Sequence, residues 1–216
     1  MQQAFFSVVE SRWWKQGNHS IKPLFEAISA LHYSNPSAFF YDMFINDSSL
    51  NEVLKMRGVD NITEVIYLAT HGSEDGQIGT DSNNAVTRVK FRNNLKDANS
   101  QGQIKGLYLG TCFTGKPDIV KFILDPSCGT NLQWIIGYEK SVEWIDGSAI
   151  DMIFFSKLSD EYIKNKSRKK KKTSVEMAHI AVTEVLKLVS SAHQNFGFNF
   201  YRVENGKIVS LFNSEF

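Results

Sequence analysis

A histidine and a cysteine each follow a strongly apolar run of this chain. Val65-Ile66-Tyr67-Leu68-Ala69-Thr70 leads into His71-Gly72, and Gly106-Leu107-Tyr108-Leu109-Gly110-Thr111 leads into Cys112. Runs of this length and apolarity read as buried strands of a parallel sheet. Adjacent parallel strands point the same way, so residues just past their C-termini emerge on one edge, where open α/β sheets place their sites. A thiol and an imidazole meeting there form a nucleophile and its base.

The elements that must position this pair alternate. Phe5 to Val9 reads as a first strand, followed by a polar loop from Glu10 to Ser20 that contains Trp13 and Trp14. Ile21 to His32 has helical apolar spacing, with Pro23 tolerated in its first turn. Ala38 to Phe44 is a second strand, and Ser48 or Ser49 caps a short helix through Met56. Glu64 to Ala69 and Gly106 to Gly110 are the third and fourth strands. Between them lie a turn or hairpin near Gly76 and Gly79 and a helix over Val89 to Ala98. Pro117 and Asp118 open a helix through Leu124. Leu132 to Tyr138 is a fifth strand, Gly147 to Ile163 and Ser174 to Ala192 are long helices, and Asn199 to Phe212 forms a terminal strand pair. Alternation of this kind predicts one α/β domain over residues 1–216, with a mostly parallel central sheet flanked by helices.

Composition narrows the function classes. With 216 residues, 42% of them hydrophobic, the chain can bury a substantial core. No stretch reaches the length of a membrane span, and the N-terminus lacks the pattern of a signal peptide, so a cytoplasmic protein without a membrane partner is expected. The two cysteines and five histidines show no metal-ligand spacing, which predicts no metal. Net charge is +1, yet seven of the 24 basic residues crowd into Lys164 to Lys172, within a basic loop over 164–173. A run of this kind reads first as a solvated loop. Nucleic-acid binding is the less favoured reading, because no aromatics interleave with the lysines.

Chemistry at Cys112 requires a thiolate, which a helix start or a nearby imidazolium favours. Gly110 and Gly115 flank the cysteine and permit a sharp turn that exposes the sulfur. The backbone N–H groups of Gly72 and Cys112 are the expected donors of an oxyanion hole. Gly110 to Lys116 also has the Gly-x4-Gly-Lys spacing of a phosphate-binding loop, but Pro117 stands where a magnesium-holding hydroxyl is needed. Cys128, in the turn Pro126-Ser127-Cys128-Gly129, reads as structural.

At these residues the chain resembles the caspase-like cysteine peptidases, and among them the CHAT-type prokaryotic members. The resemblance rests on Leu68-Ala69-Thr70-His71-Gly72, on Leu109-Gly110-Thr111-Cys112-Phe113-Thr114-Gly115, and on Trp134-Ile135-Ile136-Gly137-Tyr138 leading through Val142-Glu143-Trp144-Ile145-Asp146-Gly147 into a helix. It implies a three-layer caspase-like sandwich, with Cys112 as nucleophile, His71 as general base and acid, and an acyl-enzyme formed on a protein or peptide substrate. No cofactor is implied. Activation by a partner protein or a signal, in prokaryotic defence or regulated death, is the corresponding expectation. The block around Cys112 departs from the caspase pentapeptide Gln-Ala-Cys-x-Gly, so caspase specificity does not transfer. No third residue that would orient His71 is identifiable. Relatives select the residue before the cut with a charged pocket. Glu10, Glu143 and Asp146 are candidates for an acidic wall favouring Lys or Arg, and Arg12 for the opposite preference. The alternative from another class is a non-catalytic interaction module that keeps the fold.

Overall fold

Every central strand of the protein is apolar on both faces, and the topology explains why. A computed structural model describes residues 3–12, 14, 19–79 and 84–212. Seven strands form one sheet in the order β2-β1-β3-β4-β5-β6-β7. They are β1 (Phe6–Ser11), β2 (Phe40–Phe44), β3 (Val65–Ala69), β4 (Gly106–Gly110), β5 (Trp134–Tyr138), β6 (Phe198–Glu204) and β7 (Lys207–Ser210). Strands β1 to β5 are mutually parallel, and β6 and β7 continue the sheet antiparallel.

Helices cover both faces, so strand residues of either parity are buried. On one face α1 (Lys22–Tyr33), α5 (Trp144–Ser167), α6 (Ser174–Leu188) and the short α7 (Ala192–Phe196) pack against Phe6, Val8, Tyr67, Tyr108, Trp134, Ile136 and Tyr138. On the other face α2 (Asp47–Val59), α3 (Arg88–Ala98) and α4 (Pro117–Leu124) cover Val9, Ile66, Leu68, Leu107, Leu109 and Ile135. The result is an α/β architecture with helical layers on either side of a mostly parallel sheet. No helix among the described residues is long and apolar enough to cross a membrane.

Local chemistry sets the boundaries where they differ from the sequence expectation. The first strand runs on through Glu10 and Ser11, both fully buried, because their polar atoms find partners. The Glu10 carboxylate accepts from Ser20 Oγ at 2.6 Å, Tyr41 Oη at 2.6 Å and the Ile21 amide at 2.9 Å. The Glu10–Ser20 segment is therefore not wholly a loop. Trp13, in the same stretch, lies outside the described residues. Helix α2 is capped by Asn46, with Ser49 as the reciprocal partner at the third position rather than as the cap itself. Helix α5 begins three residues before the expected start and swallows Lys164 and Lys166. The basic loop folds back on the end of this helix. Lys171 Nζ donates to the carbonyls of Asn165 and Lys166, and the Asn165 side chain bonds both the amide and the carbonyl of Lys172. Cations at a helix C-terminus satisfy its open carbonyls and complement its dipole, so part of the basic run has a structural use.

Candidate active site

Register brings the histidine and the cysteine to one level. In the pairing of β3 with β4, Ala69 lies opposite Gly110. His71 and Cys112 each follow two residues later, off adjacent parallel strands. His71 is exposed and Cys112 half-buried, and both line a cavity of about 430 Å³ that opens at the C-terminal edge of the sheet.

Two glycines set the spacing. A Cβ at Gly72 would fall 2.3 Å from the Cys112 carbonyl oxygen, so only glycine lets the segment after β3 lie against the segment after β4. Gly72 is also paired with Ile78 in a small hairpin, closed by Gly79 N–H to His71 O and Ser73 N–H to Gln77 O. Those bonds are made by the neighbours of Gly72. Among the described residues, neither the Gly72 nor the Cys112 amide is engaged in a turn or cap hydrogen bond. At Gly110 a Cβ would fall 2.4 Å from the hydroxyl of Tyr67. Glycine there makes room for that ring in the wall of the cavity.

The turn after Cys112 is held in a costly conformation. Phe113 has φ of 63°, a region that bulky side chains rarely occupy and that costs about 1–3 kcal/mol. Surrounding bonds enforce it: Phe113 N–H to Lys140 O at 3.2 Å, Gly115 N–H to Tyr138 O at 2.9 Å, and Lys116 N–H to Phe113 O at 3.1 Å. The same bonds decide against a phosphate-binding loop. The amides of Phe113, Thr114, Gly115 and Lys116 all donate to backbone carbonyls, and Lys116 Nζ pairs with Glu74 at 3.2 Å. The four amides from Phe113 to Lys116 that a phosphate cradle would need are therefore already bonded.

Across the cavity, the segment between β5 and α5 reaches the sulfur. Val142 N–H donates to Cys112 Sγ at 3.4 Å, Sγ lies 3.6 Å from the Val142 carbonyl, and Ser141 Oγ is 3.9 Å away. A thiol so placed is accessible from the cavity and steadied by a backbone donor that also suits a thiolate.

Of the remaining residues expected at the site, the structure brings only Glu143 to the cavity. Glu10 sits in β1 with its carboxylate engaged as described. Arg12 is exposed and does not line the cavity. Asp146 is exposed in the first turn of α5, where an acid complements the helix dipole. Cys128 stands in a 3-10 turn, Pro126–Cys128, with its thiol 2.9 Å from the Ile123 carbonyl.

A second acidic group reaches the cavity, Asp151, which sequence reasoning missed. It projects from the second turn of α5 and is 3% exposed. Three tyrosines from three adjacent strands donate to it. Tyr67 bonds Oδ2 at 2.6 Å, while Tyr108 and Tyr138 bond Oδ1 at 2.5 and 2.7 Å. Burial pushes the Asp151 carboxyl up to about 6, with the three hydroxyl donors opposing the rise. The signal was present: Asp151 occupies an apolar face among Ile150, Phe154 and Phe155, and Tyr67 and Tyr108 are register partners whose hydroxyls need a buried acceptor.

No group of three or more His, Cys, Asp or Glu among the described residues could hold a metal ion. The chain matches no known protein-family model and no curated protein.

Proposed function

We propose that this protein is a cysteine endopeptidase of the caspase-like kind, on the analogy of the CHAT-type prokaryotic members. The observation that carries the reading is an accessible thiol and an exposed imidazole, at equal register past adjacent parallel strands, opening onto one cavity. In this reading Cys112 passes its thiol proton to His71 and attacks the carbonyl carbon of a peptide bond. The Gly72 and Cys112 amides receive the oxyanion. His71 returns the proton to the departing amine, leaving a thioester on Cys112. A water molecule deprotonated by His71 then releases the acid.

The contact between Val142 and the Cys112 sulfur supports control by substrate or a partner protein. A carbonyl approaching the sulfur must displace or share that segment, so anything that draws residues 141–143 aside opens the nucleophile. Glu143, at the cavity wall, is placed to contact substrate.

The test is a proteome-derived peptide library exposed to the wild-type protein and to Cys112→Ala. The reading expects cleavage by the wild type alone, with loss in His71→Ala. Equal, background-level turnover by all three, together with alkylation of Cys112 by iodoacetamide no faster than that of Cys128, would leave a non-catalytic interaction module as the function.

A further inference from the structure

Among the described residues, Asp151 is a buried carboxylate with no basic partner. No Lys, Arg or His forms an ion pair with it among the described residues, and its only polar contacts are the three tyrosine hydroxyls. Buried ionised groups are ordinarily paired, because desolvation is expensive without a counter-charge. Here the missing partner has a way in. Asp151, Tyr67 and Tyr138 form the buried end of the same cavity whose mouth carries His71 and Cys112, and Ile21, Val142 and Trp144 provide apolar wall.

We infer that this cavity receives the side chain preceding the cleaved bond, and that it selects lysine over arginine because the Asp151 carboxylate has one open acceptor site. The inference rests on the peptidase reading and extends it to substrate choice. Its basis is a count of lone pairs. A carboxylate offers about four acceptor sites, two on each oxygen. Tyr108 and Tyr138 fill both sites of Oδ1, and Tyr67 fills one of Oδ2. A guanidinium fork needs a free site on each oxygen to bind through two parallel bonds. An ammonium needs only one, and its other protons can be accepted by the hydroxyl oxygens of Tyr67, which donates to Asp151, and of Tyr138, whose shortest contact is Asp151 at 2.7 Å, ahead of Tyr108 Oη at 3.2 Å and the Gly147 carbonyl at 3.3 Å. Apolar walls suit the lysine stem.

The experiment compares peptidyl acyloxymethyl ketones ending in lysine, arginine or norleucine, with alkylation of Cys112 followed by mass spectrometry. Each rate is divided by that of iodoacetamide on the same variant. In the wild type, lysine should exceed norleucine by about 100-fold and arginine by about tenfold. Asp151→Asn should bring lysine within about threefold of norleucine. Tyr138→Phe frees a site on Oδ1 and should raise arginine to parity with lysine. This second variant keeps the proposal exposed if Asp151→Asn does not fold. Arginine equal to lysine in the wild type, or a lysine advantage that survives in Asp151→Asn, would overturn the inference. If no ketone labels Cys112, the peptidase reading has failed separately. The cavity is then read by binding of fluorescent peptide amides with the same three C-terminal residues to Cys112→Ala, where lysine without an advantage over norleucine overturns the inference and a lysine-first order upholds it.

Discussion

One region of this molecule joins an imidazole to a hydroxyl by a hydrogen bond, and another brings an imidazole and a thiol to one cavity by strand register. On the face formed by α1 and α5, His32 Nε2 lies 3.0 Å from Ser156 Oγ and His32 Nδ1 lies 3.3 Å from Asp160 Oδ1. That is the serine–histidine–acid order of a hydrolytic triad. Yet Ser156 and Asp160 are one turn apart on α5, and the amides around Ser156 lie within the helical ladder, so none is free to hold an oxyanion. At Cys112 the opposite holds. The strand ends supply two amides outside the turn bonding, a strained turn and a cavity. The difference teaches that the surroundings of such a pair decide whether another molecule can reach it. The triplet on α1 and α5 fastens two helices together, whereas the pair at the sheet edge faces a space that a substrate can enter.

That contrast can be broken most sharply by removing each nucleophile. Cys112→Ala should abolish turnover and covalent labelling, while Ser156→Ala leaves both unchanged in the same peptide-library assay; activity surviving the first or lost in the second would reverse the assignment. Next in size is Gly72→Ala. The added methyl would sit against the Cys112 carbonyl and push the histidine segment away, and a displacement near 1 Å lowers kcat/KM by about 100-fold. Steady-state kinetics with a cleaved peptide reads this, and an unchanged kcat/KM would show that the two segments need not touch.

A third expectation concerns pH. The Asp151 carboxyl titrates at about 6 in the fold against an ordinary 3.8, so the folded state holds its proton more tightly than the unfolded chain. Its contribution to stability is complete below about pH 4 and is lost as pH rises through 6, by roughly 3 kcal/mol. Urea unfolding across that window should show the decline in the wild type and a flatter profile in Asp151→Asn; parallel profiles would dismiss the assignment. The smallest effect belongs to the helix clamp. Ser156→Ala should cost about 1 kcal/mol of unfolding free energy, the worth of one side-chain hydrogen bond, with no change in catalysis.

The two strands that carry the site were legible because burial on both faces leaves a continuous apolar run, and that run ends where His71 and Cys112 begin. Strand β4 and helix α4 have the expected bounds for the same reason, with Pro117 fixing the helix start. The polar interior was not legible. Glu10 read as loop since hydropathy cannot foresee that Ser20, Tyr41 and the Ile21 amide converge on it. Asp151 was passed over inside a helical pattern, although an acid on an apolar face beneath three strand tyrosines is itself a flag. The start of α5 at Trp144 moved Asp146 from a presumed loop to a helix turn facing solvent.

Helix α5 also joins distant parts of the protein. It runs unbroken for 24 residues, a rod of roughly 36 Å. Asp151 rides near one end, and the lysine-bound carbonyls of Asn165 and Lys166 close the other. The Lys171 bonds hold that far tip to the chain that follows, so a tilt of the rod about it would be delivered, as by a lever, to the carboxylate beside the cavity.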